Sequence, residues 1–501
     1  MGRLVCRRGK DSKITGKIRA TLNVDLKKET LPDRHAGTLF SKPRVVIAGT
    51  TSDCGKTTVA TGLMGALVKN GITVQGFKVG PDYLDPSFHS RISGRASRNL
   101  DTWLMGELGI SETFRSATAD ADMAVIEGVM GLFDGSGSTS DEQSTAEIAR
   151  LLSSPVILVV DAHAAGRSVA AQVLGFSSMA KGFDIKGVVL NRIGSDRHFL
   201  LCKEAIEHET SIPVIGHLKF KQEIELPSRH LGLHSATSEL DDKIQLISSF
   251  VAESVDLDSV RSIAIRAPQV SLMDVSDNEK ESARVVTTDD GIRIGVALDE
   301  SFSFYYEDNL DELRRLGAGI KFFSPIHDRE LPEVDMIYIG GGYPEINVEL
   351  LEKNDSMRQQ IHKSFEYGMP IYAECGGLMY LGRETISLDG KHHKMSGVFD
   401  LDTEMTRKLT LGYTEMESVG DTPISSRGDK LYGHEFHYSS AENVSSDCKF
   451  VFRLIRGKGI TRSMDGCMSR NALGCYGHLH FRRAKKSARM LIESAMQYSR
   501  K

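Results

Sequence analysis

Cys375 lies in IYAECGGLMYLG, between a short apolar run and a pair of glycines. The pattern predicts a strand ending at Glu374, a tight turn through Cys375, Gly376 and Gly377, and then a helix. A helix N-terminus or a histidine next to a cysteine lowers its pKa and populates the thiolate, the form that attacks carbonyl carbon. Small residues after such a nucleophile admit a substrate, and the Gly376 N–H is free to meet an oxyanion. Upstream, YIGGGYPE supplies a second glycine-rich turn whose Gly341 and Gly342 would complete the hole. The partner base is expected late in the chain, where CYGHLHFRR offers His478 and His480. A further pair, His434 and His437 in GHEFHYS, lacks the spacing of a metalloprotease helix and receives no role.

A different chemistry is written near the other end. In RVVIAGTTSDCGKTTVATGLMGAL, Gly55-Lys56-Thr57 follows a strand and opens a helix. There, successive backbone N–H groups, a helix N-terminus and a lysine converge on a polyphosphate. Gly49 stands one residue earlier than the common G-x-x-x-x-G-K-(S/T) spacing requires. Lys56 would reach the outer phosphates and the Thr57 hydroxyl would bind Mg²⁺, which takes hard oxygen ligands. Glu127, closing MAVIEG, is a carboxylate that a parallel strand would deliver to the loop's edge. Asp82 and Asp85 in KVGPDYLDPSFH and Asp134 in GLFDG are further candidate acids, although each type is also common in caps and turns.

The elements that must position these groups follow from the pattern of apolar runs. From Arg44, short continuous apolar stretches alternate with helical ones: RVVIAG, TVQGFKVG, MAVIEGVMG, PVILVVDA, IKGVVLNRIG and IPVIGHL. Such strands predict a parallel sheet covered on both faces. The rhythm stops near Arg266 and resumes with IRIGVALDE, GIKFFSP, MIYIGGGYPE and PIYAECGG. The expected organisation is a basic extension over 1–43, flexible and without assigned function, and a nucleotide-binding α/β domain over 44–265. A polar linker over 266–291 then leads to a second, glutaminase-like α/β domain over 292–501.

The chain has 501 residues, 40% hydrophobic and 26% charged, with a net charge of −5. That length predicts more than one domain, and the charge argues against nucleic acid as the main partner. No apolar run reaches the roughly 18 residues of a membrane span. Seven cysteines without C-x-x-C pairs predict reduced thiols in a cytoplasmic protein and no zinc site. A homo-oligomer is left open.

GTTSDCGKTT, FKVGPDYLDPSFH, SRNLDTWLM, VIEGVMGLFDG and LPSRHLGL together resemble the cobyrinic acid a,c-diamide synthase family. Its relative, the nickel-sirohydrochlorin a,c-diamide synthase, shares the pattern, and the first half is similar to dethiobiotin synthetase. The resemblance implies that Gly55, Lys56, Thr57 and Thr58 hold ATP, that Asn191 contacts the adenine, and that Thr57, Asp82 and Glu127 hold Mg²⁺. It gives Asp85 and Asp134 a part in phosphoryl transfer, and Tyr83, Arg98, Arg229 and His230 contacts to a tetrapyrrole. Triad glutamine amidotransferases end in His-x-Glu; on that pattern His478 is the base and His480 stands in the glutamate position, an acid the relatives in cobalamin synthesis also lack. Where the family usually has Ser-Gly-Val before Gly-Lys, this chain has Ser52-Asp53-Cys54.

The expected activity is therefore amidation of the a and c carboxylates of a tetrapyrrole, cobyrinate or nickel-sirohydrochlorin, through an acyl phosphate. L-Glutamine would supply the ammonia. Two rivals share parts of the pattern: a non-catalytic nucleotide switch, and a cysteine hydrolase with a degenerate ATP domain.

Overall fold

Val45, Val46, Ile47 and Ala48 have no exposed surface, because the strand that holds them is covered on both faces. A computed structural model describes residues 37–220, 237–274, 291–446 and 448–500. In chain order the first strands are β1 (Thr38–Phe40), β2 (Arg44–Gly49), β3 (Val74–Val79), β4 (Arg98–Leu100), β5 (Met123–Glu127), β6 (Val156–Asp161), β7 (Ile185–Ile193), β8 (Val214–Lys219) and β9 (Val270–Leu272). Seven of them form a parallel sheet in the order β4-β3-β5-β2-β6-β7-β8. Earlier and later strands diverge on either side of β2, so the loop after β2 opens at the switch point where such sheets bind ligands.

Register decides which side chains meet there. Ile47 pairs with Glu127, Lys78 with Glu127, and Asp161 with Asn191, all at carboxyl ends of strands. Helix α1 (Lys56–Lys69) starts at Gly55, whose φ of 99° is left-handed. A Cβ at Gly55 would lie 2.2 Å from Asn191 Nδ2, so a side chain is excluded there for two reasons. Helix α2 (Leu84–Ser93) follows the turn that carries Asp82 and Tyr83.

The second sheet has twelve strands. Its parallel part comprises β10 (Ile292–Ala297), β11 (Ala318–Phe323), β12 (Met336–Ile339) and β13 (Ile371–Glu374), with Ala472–Cys475 beside β13. The expected parallel strands of this half are present. An antiparallel block, including Asp402–Ser418, Lys430–Glu442, Lys449–Arg456 and Met464–Ser469, lies between β13 and the chain end and was not expected. Its strands mix exposed, half-buried and buried residues, a weaker signal than the continuous apolar runs.

Two stretches differ from the sequence expectation. Thr38–Phe40, assigned to the extension, pairs antiparallel with Val270–Leu272, assigned to the linker. The pairing satisfies both backbones, buries Val270 and Leu272, and is tied down by Thr38 Oγ1 donating to Asp274 at 2.6 Å. Arg44 secures the same end: its buried guanidinium donates to the carbonyls of Leu152 (2.7 Å), Lys42 (2.9 Å) and Pro268 (2.5 Å).

The seam between the sheets is polar and aromatic. Tyr413 donates to Asp101 Oδ2 (2.6 Å), Trp103 Nε1 to the Thr414 carbonyl (3.2 Å), and Thr113 Oγ1 to Asp308 (2.9 Å). Arg482 pairs with Asp308 at 3.0 Å and Lys485 with Glu112 at 2.8 Å.

Candidate active site

At the nucleotide end, Thr57 Oγ1 donates to Glu127 Oε1 at 2.6 Å and lies 3.4 Å from Asp85 Oδ2. Lys78 Nζ joins them, paired with Asp85, with Glu127 Oε1 at 2.8 Å, and with the Gly128 carbonyl at 3.2 Å. On the far side of Glu127, Oε2 meets His89 Nε2 at 2.7 Å, and His89 Nδ1 meets Ser97 Oγ at 3.3 Å. Burial opposes charge on Glu127, yet Lys78 and His89 outweigh it and hold the carboxyl well below the usual range. For Asp85 the balance reverses: burial and the adjacent Glu127 push its carboxyl up. The Lys78 pKa is raised as well: burial alone would lower it, but the three acids around it outweigh that and hold the ammonium charged.

These oxygens fit Mg²⁺, which takes a hydroxyl and one or two carboxylates alongside phosphate oxygens and needs no all-protein cage. Among the described residues there is no cluster of three or more His, Cys, Asp or Glu that would hold a metal by itself. Lys56, nearly buried, donates to the Thr51 carbonyl at 2.9 Å across the loop. Asn191 Nδ2 donates to the Cys54 carbonyl at 2.9 Å, so this side chain braces the phosphate loop. Thr58, in the first turn of α1, is at the loop's exit. Asp134 accepts from Gly131 N at 2.9 Å, and Leu132 N donates to the Gly49 carbonyl at 2.8 Å, which seats that turn against the loop. Asp82 is engaged in capping: Oδ1 accepts from Leu84 N (2.8 Å) and Asp85 N (3.2 Å).

At the thiol end, Cys375 has φ 50° and ψ −103°, a strained turn between β13 and the helix Gly376–Leu381. Cys375 N donates to the Cys475 carbonyl at 2.7 Å, and the strand ending at Cys475 runs on to His478. Gly341 is the point where base and nucleophile meet. A Cβ built there would be 2.4 Å from His478 Cε1, 3.2 Å from His478 Nε2 and 3.4 Å from Cys375 Cβ. Likewise a Cβ at Gly376 would lie 3.3 Å from Gly342 N, so the two turns bring their backbones together beside the thiol.

The resting thiol is not the expected thiolate. Burial pushes the Cys375 thiol well up, the Glu345 carboxyl adds to that, and Sγ donates to the Phe436 carbonyl at 3.2 Å. A hydrogen bond to a carbonyl favours S–H over S⁻, so the proton must leave as the sulfur attacks. Phe436 belongs to the strand Lys430–Glu442, whose His434 pairs with His478 in register and stacks on it at 4.8 Å. That strand, GHEFHYS, thus forms a wall of the thiol site.

Sequence reasoning missed Glu374. Its Oε2 lies 3.7 Å from His478 Nδ1 and accepts from Tyr338 (2.9 Å), while Oε1 accepts from Tyr372 (2.7 Å) and Leu479 N (3.0 Å). The carboxylate next to the nucleophile occupies the place expected to be filled from the His-x-Glu position. His480 instead packs against Tyr306 at 4.7 Å with the rings tilted by 40°, and burial lowers its pKa to about 4. The one local signal was an acid at the buried end of an apolar strand, immediately before the cysteine.

Of the expected tetrapyrrole contacts, Arg98 is spent on the seam, paired with Asp311 at 2.6 Å because the two halves need their facing charges matched. Arg229 and His230 lie outside the described residues. Tyr83, between Asp82 and Asp85, turns its ring away from the phosphate loop. It stacks on Phe304 (4.7 Å, 5° between planes) and packs against Tyr306 (4.8 Å), His434 (5.8 Å) and His478 (5.5 Å). The two chemistries therefore face each other across one side chain.

Comparison with known proteins agrees with both halves. The CobQ/CobB/MinD/ParA nucleotide binding domain profile matches residues 45–233, and the CobB/CobQ-like glutamine amidotransferase domain profile matches residues 293–486. A cobyrinate a,c-diamide synthase of Archaeoglobus fulgidus is 41% identical over 91% of this chain and 98% of its own length. Proteins of the same name from Methanothermobacter thermautotrophicus and Listeria monocytogenes are each 42% identical. They cover 91% and 87% of this chain and 100% and 96% of their own.

Proposed function

The chain belongs to the cobyrinate a,c-diamide synthase family, and from that premise we propose that it amidates the a and c carboxylates of a tetrapyrrole with ATP and glutamine. Cobyrinate is the acceptor the relatives' name supports; nickel-sirohydrochlorin carries the same carboxylates and belongs in the same substrate test. The observation that supports the reading is the contact of Tyr83, which lies between Asp82 and Asp85, with the ring of His478.

Ammonia is mostly ammonium in neutral water and a poor nucleophile, so it is best made where it is used. Cys375 Sγ attacks the glutamine amide carbon while its proton passes to His478, which lies with Cys375 around Gly341. Glu374 stabilises the imidazolium through Nδ1. The N–H groups around Gly341, Gly342 and Gly376 receive the oxyanion, the proton returns to the departing nitrogen, and water later hydrolyses the thioester.

In the other half an acceptor carboxylate oxygen attacks the γ-phosphorus of ATP, and the bond to ADP breaks. Hydroxide leaves poorly and phosphate leaves well, so ammonia then displaces phosphate from the acyl carbon. Lys56 and the N-terminus of α1 hold the transferring phosphoryl oxygens, and Thr57, Glu127 and Asp85 would hold Mg²⁺. That ion neutralises charge between the phosphates when bound. Lys78 and His89 keep Glu127 ionised and fixed for that task.

The decisive experiment compares wild type with Cys375→Ala, using cobyrinate or nickel-sirohydrochlorin, ATP, and either glutamine or ammonium, and reading mass gain of the macrocycle. Cys375→Ala should lose glutamine-dependent product and keep ammonium-dependent product. Equal loss with both nitrogen sources would show that the division of labour is wrong.

A further inference from the structure

The four residues Asp82 to Asp85 touch both chemistries. Asp85 reaches Thr57 and Lys78 at the phosphate loop, and Asp82 caps the helix that holds it. Between them, Tyr83 projects into an aromatic cluster built from the other half of the chain: Phe304, Tyr306, His434 and His478. That cluster is closely connected. His434 stacks on His478 within 23° of parallel, and Tyr306 OH lies 3.3 Å from His434 Nδ1. The Tyr83 ring is only half-buried, whereas His434 and His478 are buried behind it. It is thus the wall of the thiol site on the side that faces the phosphate loop.

We propose that Tyr83 is the positioning residue that couples the two half-reactions. Its ring closes the thiol site toward the acceptor in the resting state, and occupancy of the phosphate site moves it. The inference rests on the amidation reading given above. Ligands arriving at Thr57 must replace the contacts that Asp85 now makes with Thr57 and Lys78, and Asp85 lies on the first turn of α2, two residues from Tyr83. A displaced turn moves the ring, and a packed ring cannot move without shifting the imidazole it touches. The same displacement opens the direct line from Cys375 to the acids, so nitrogen is released only when a phosphorylated acceptor can take it. In the resting state the thiol is protonated and bonded to the Phe436 carbonyl, a form suited to waiting.

The test uses the full chain with cobyrinate, Mg²⁺-ATP and glutamine, measuring glutamate, ADP and amidated product together. In wild type, glutamate release should rise on adding ATP and cobyrinate by about 5- to 150-fold, the usual span of coupling between sites. Glutamate and product should then form in equal amounts. In Tyr83→Ala the stimulation should fall below about twofold, and glutamate should exceed product at least ~2:1 because nitrogen escapes. Tyr83→Phe keeps the ring and should keep both the stimulation and the equal stoichiometry; Tyr83→Leu carries the same expectation as Tyr83→Ala should the latter not fold.

Full stimulation and equal stoichiometry in Tyr83→Ala, with only the cobyrinate KM raised, would make Tyr83 a plain macrocycle contact and overturn the proposal. Uncoupling in Tyr83→Phe would equally overturn it, since the ring would then not be the working part. A wild-type protein that amidates with neither glutamine nor ammonium would instead remove the amidation reading itself.

Discussion

Replacing Glu374 by glutamine removes one negative charge and almost no volume. The carboxylate is buried, 3.7 Å from His478 Nδ1, and held by two tyrosine hydroxyls and the Leu479 N–H. Glutamine can still accept from Leu479 N and Tyr372 through its carbonyl, and the Tyr338 hydroxyl can rotate to accept from its amide, so the fold should survive. What is lost is the charge facing the imidazolium that forms when Cys375 gives up its proton. Unit charges near 4 Å interact by about 4 kcal/mol at an effective dielectric of about 20. The retained amide dipole offsets part of this, so a net loss of about 2–4 kcal/mol is expected, or about 30- to 1,000-fold in kcat for glutamine hydrolysis. Because the effect lies in the step after binding, the glutamine KM should change little. The assay is glutamate release with saturating ATP and cobyrinate, alongside ADP formation with ammonium as the nitrogen source. Ammonium-dependent turnover should stay near wild type, because Glu374 touches nothing at the phosphate loop. A Glu374→Gln enzyme within about threefold of wild type on glutamine would refute the reasoning, since no charge effect of the stated size could then act at this distance.

Two further outcomes follow from single contacts. Gly341→Ala would put a methyl 2.4 Å from His478 Cε1, so the base must shift; glutamine-dependent turnover should fall by about 100-fold or more while ammonium-dependent turnover persists. The Asp101 carboxyl is pushed up to about 6 by burial, although Tyr413 and the Leu104 N–H oppose the rise. A raised carboxyl binds its proton more tightly folded than unfolded, so its contribution to stability is full below the unfolded value near 3.9 and is lost as pH climbs past about 6. Asp101→Asn, which cannot ionise, should therefore gain about 2 kcal/mol relative to wild type between pH 4 and pH 7, read by denaturant unfolding at each pH.

The phosphate loop and the thiol turn were legible in the sequence because both are local. Gly55, Lys56 and Thr57, and likewise Cys375 to Gly377, are presented by backbone geometry set within a few residues. The parallel strands before them were legible for a related reason: a strand covered on both faces must be apolar throughout. The antiparallel block between Asp402 and Ser469 was not, since a half-exposed strand leaves a fainter trace.

Tertiary structure alone decided which groups face one another. Strand register set Glu127 beside Lys78 and brought His434 onto His478. The closing of the second sheet brought Glu374 to the imidazole, and the seam took Arg98 for an ion pair and turned Tyr83 toward the thiol site. Burial then moved the titrations, pushing the Cys375 thiol up and His480 down. A residue's type names the reactions open to it, but its protonation state and its partner depend on desolvation and on neighbours far away in the chain, which only the folded chain supplies.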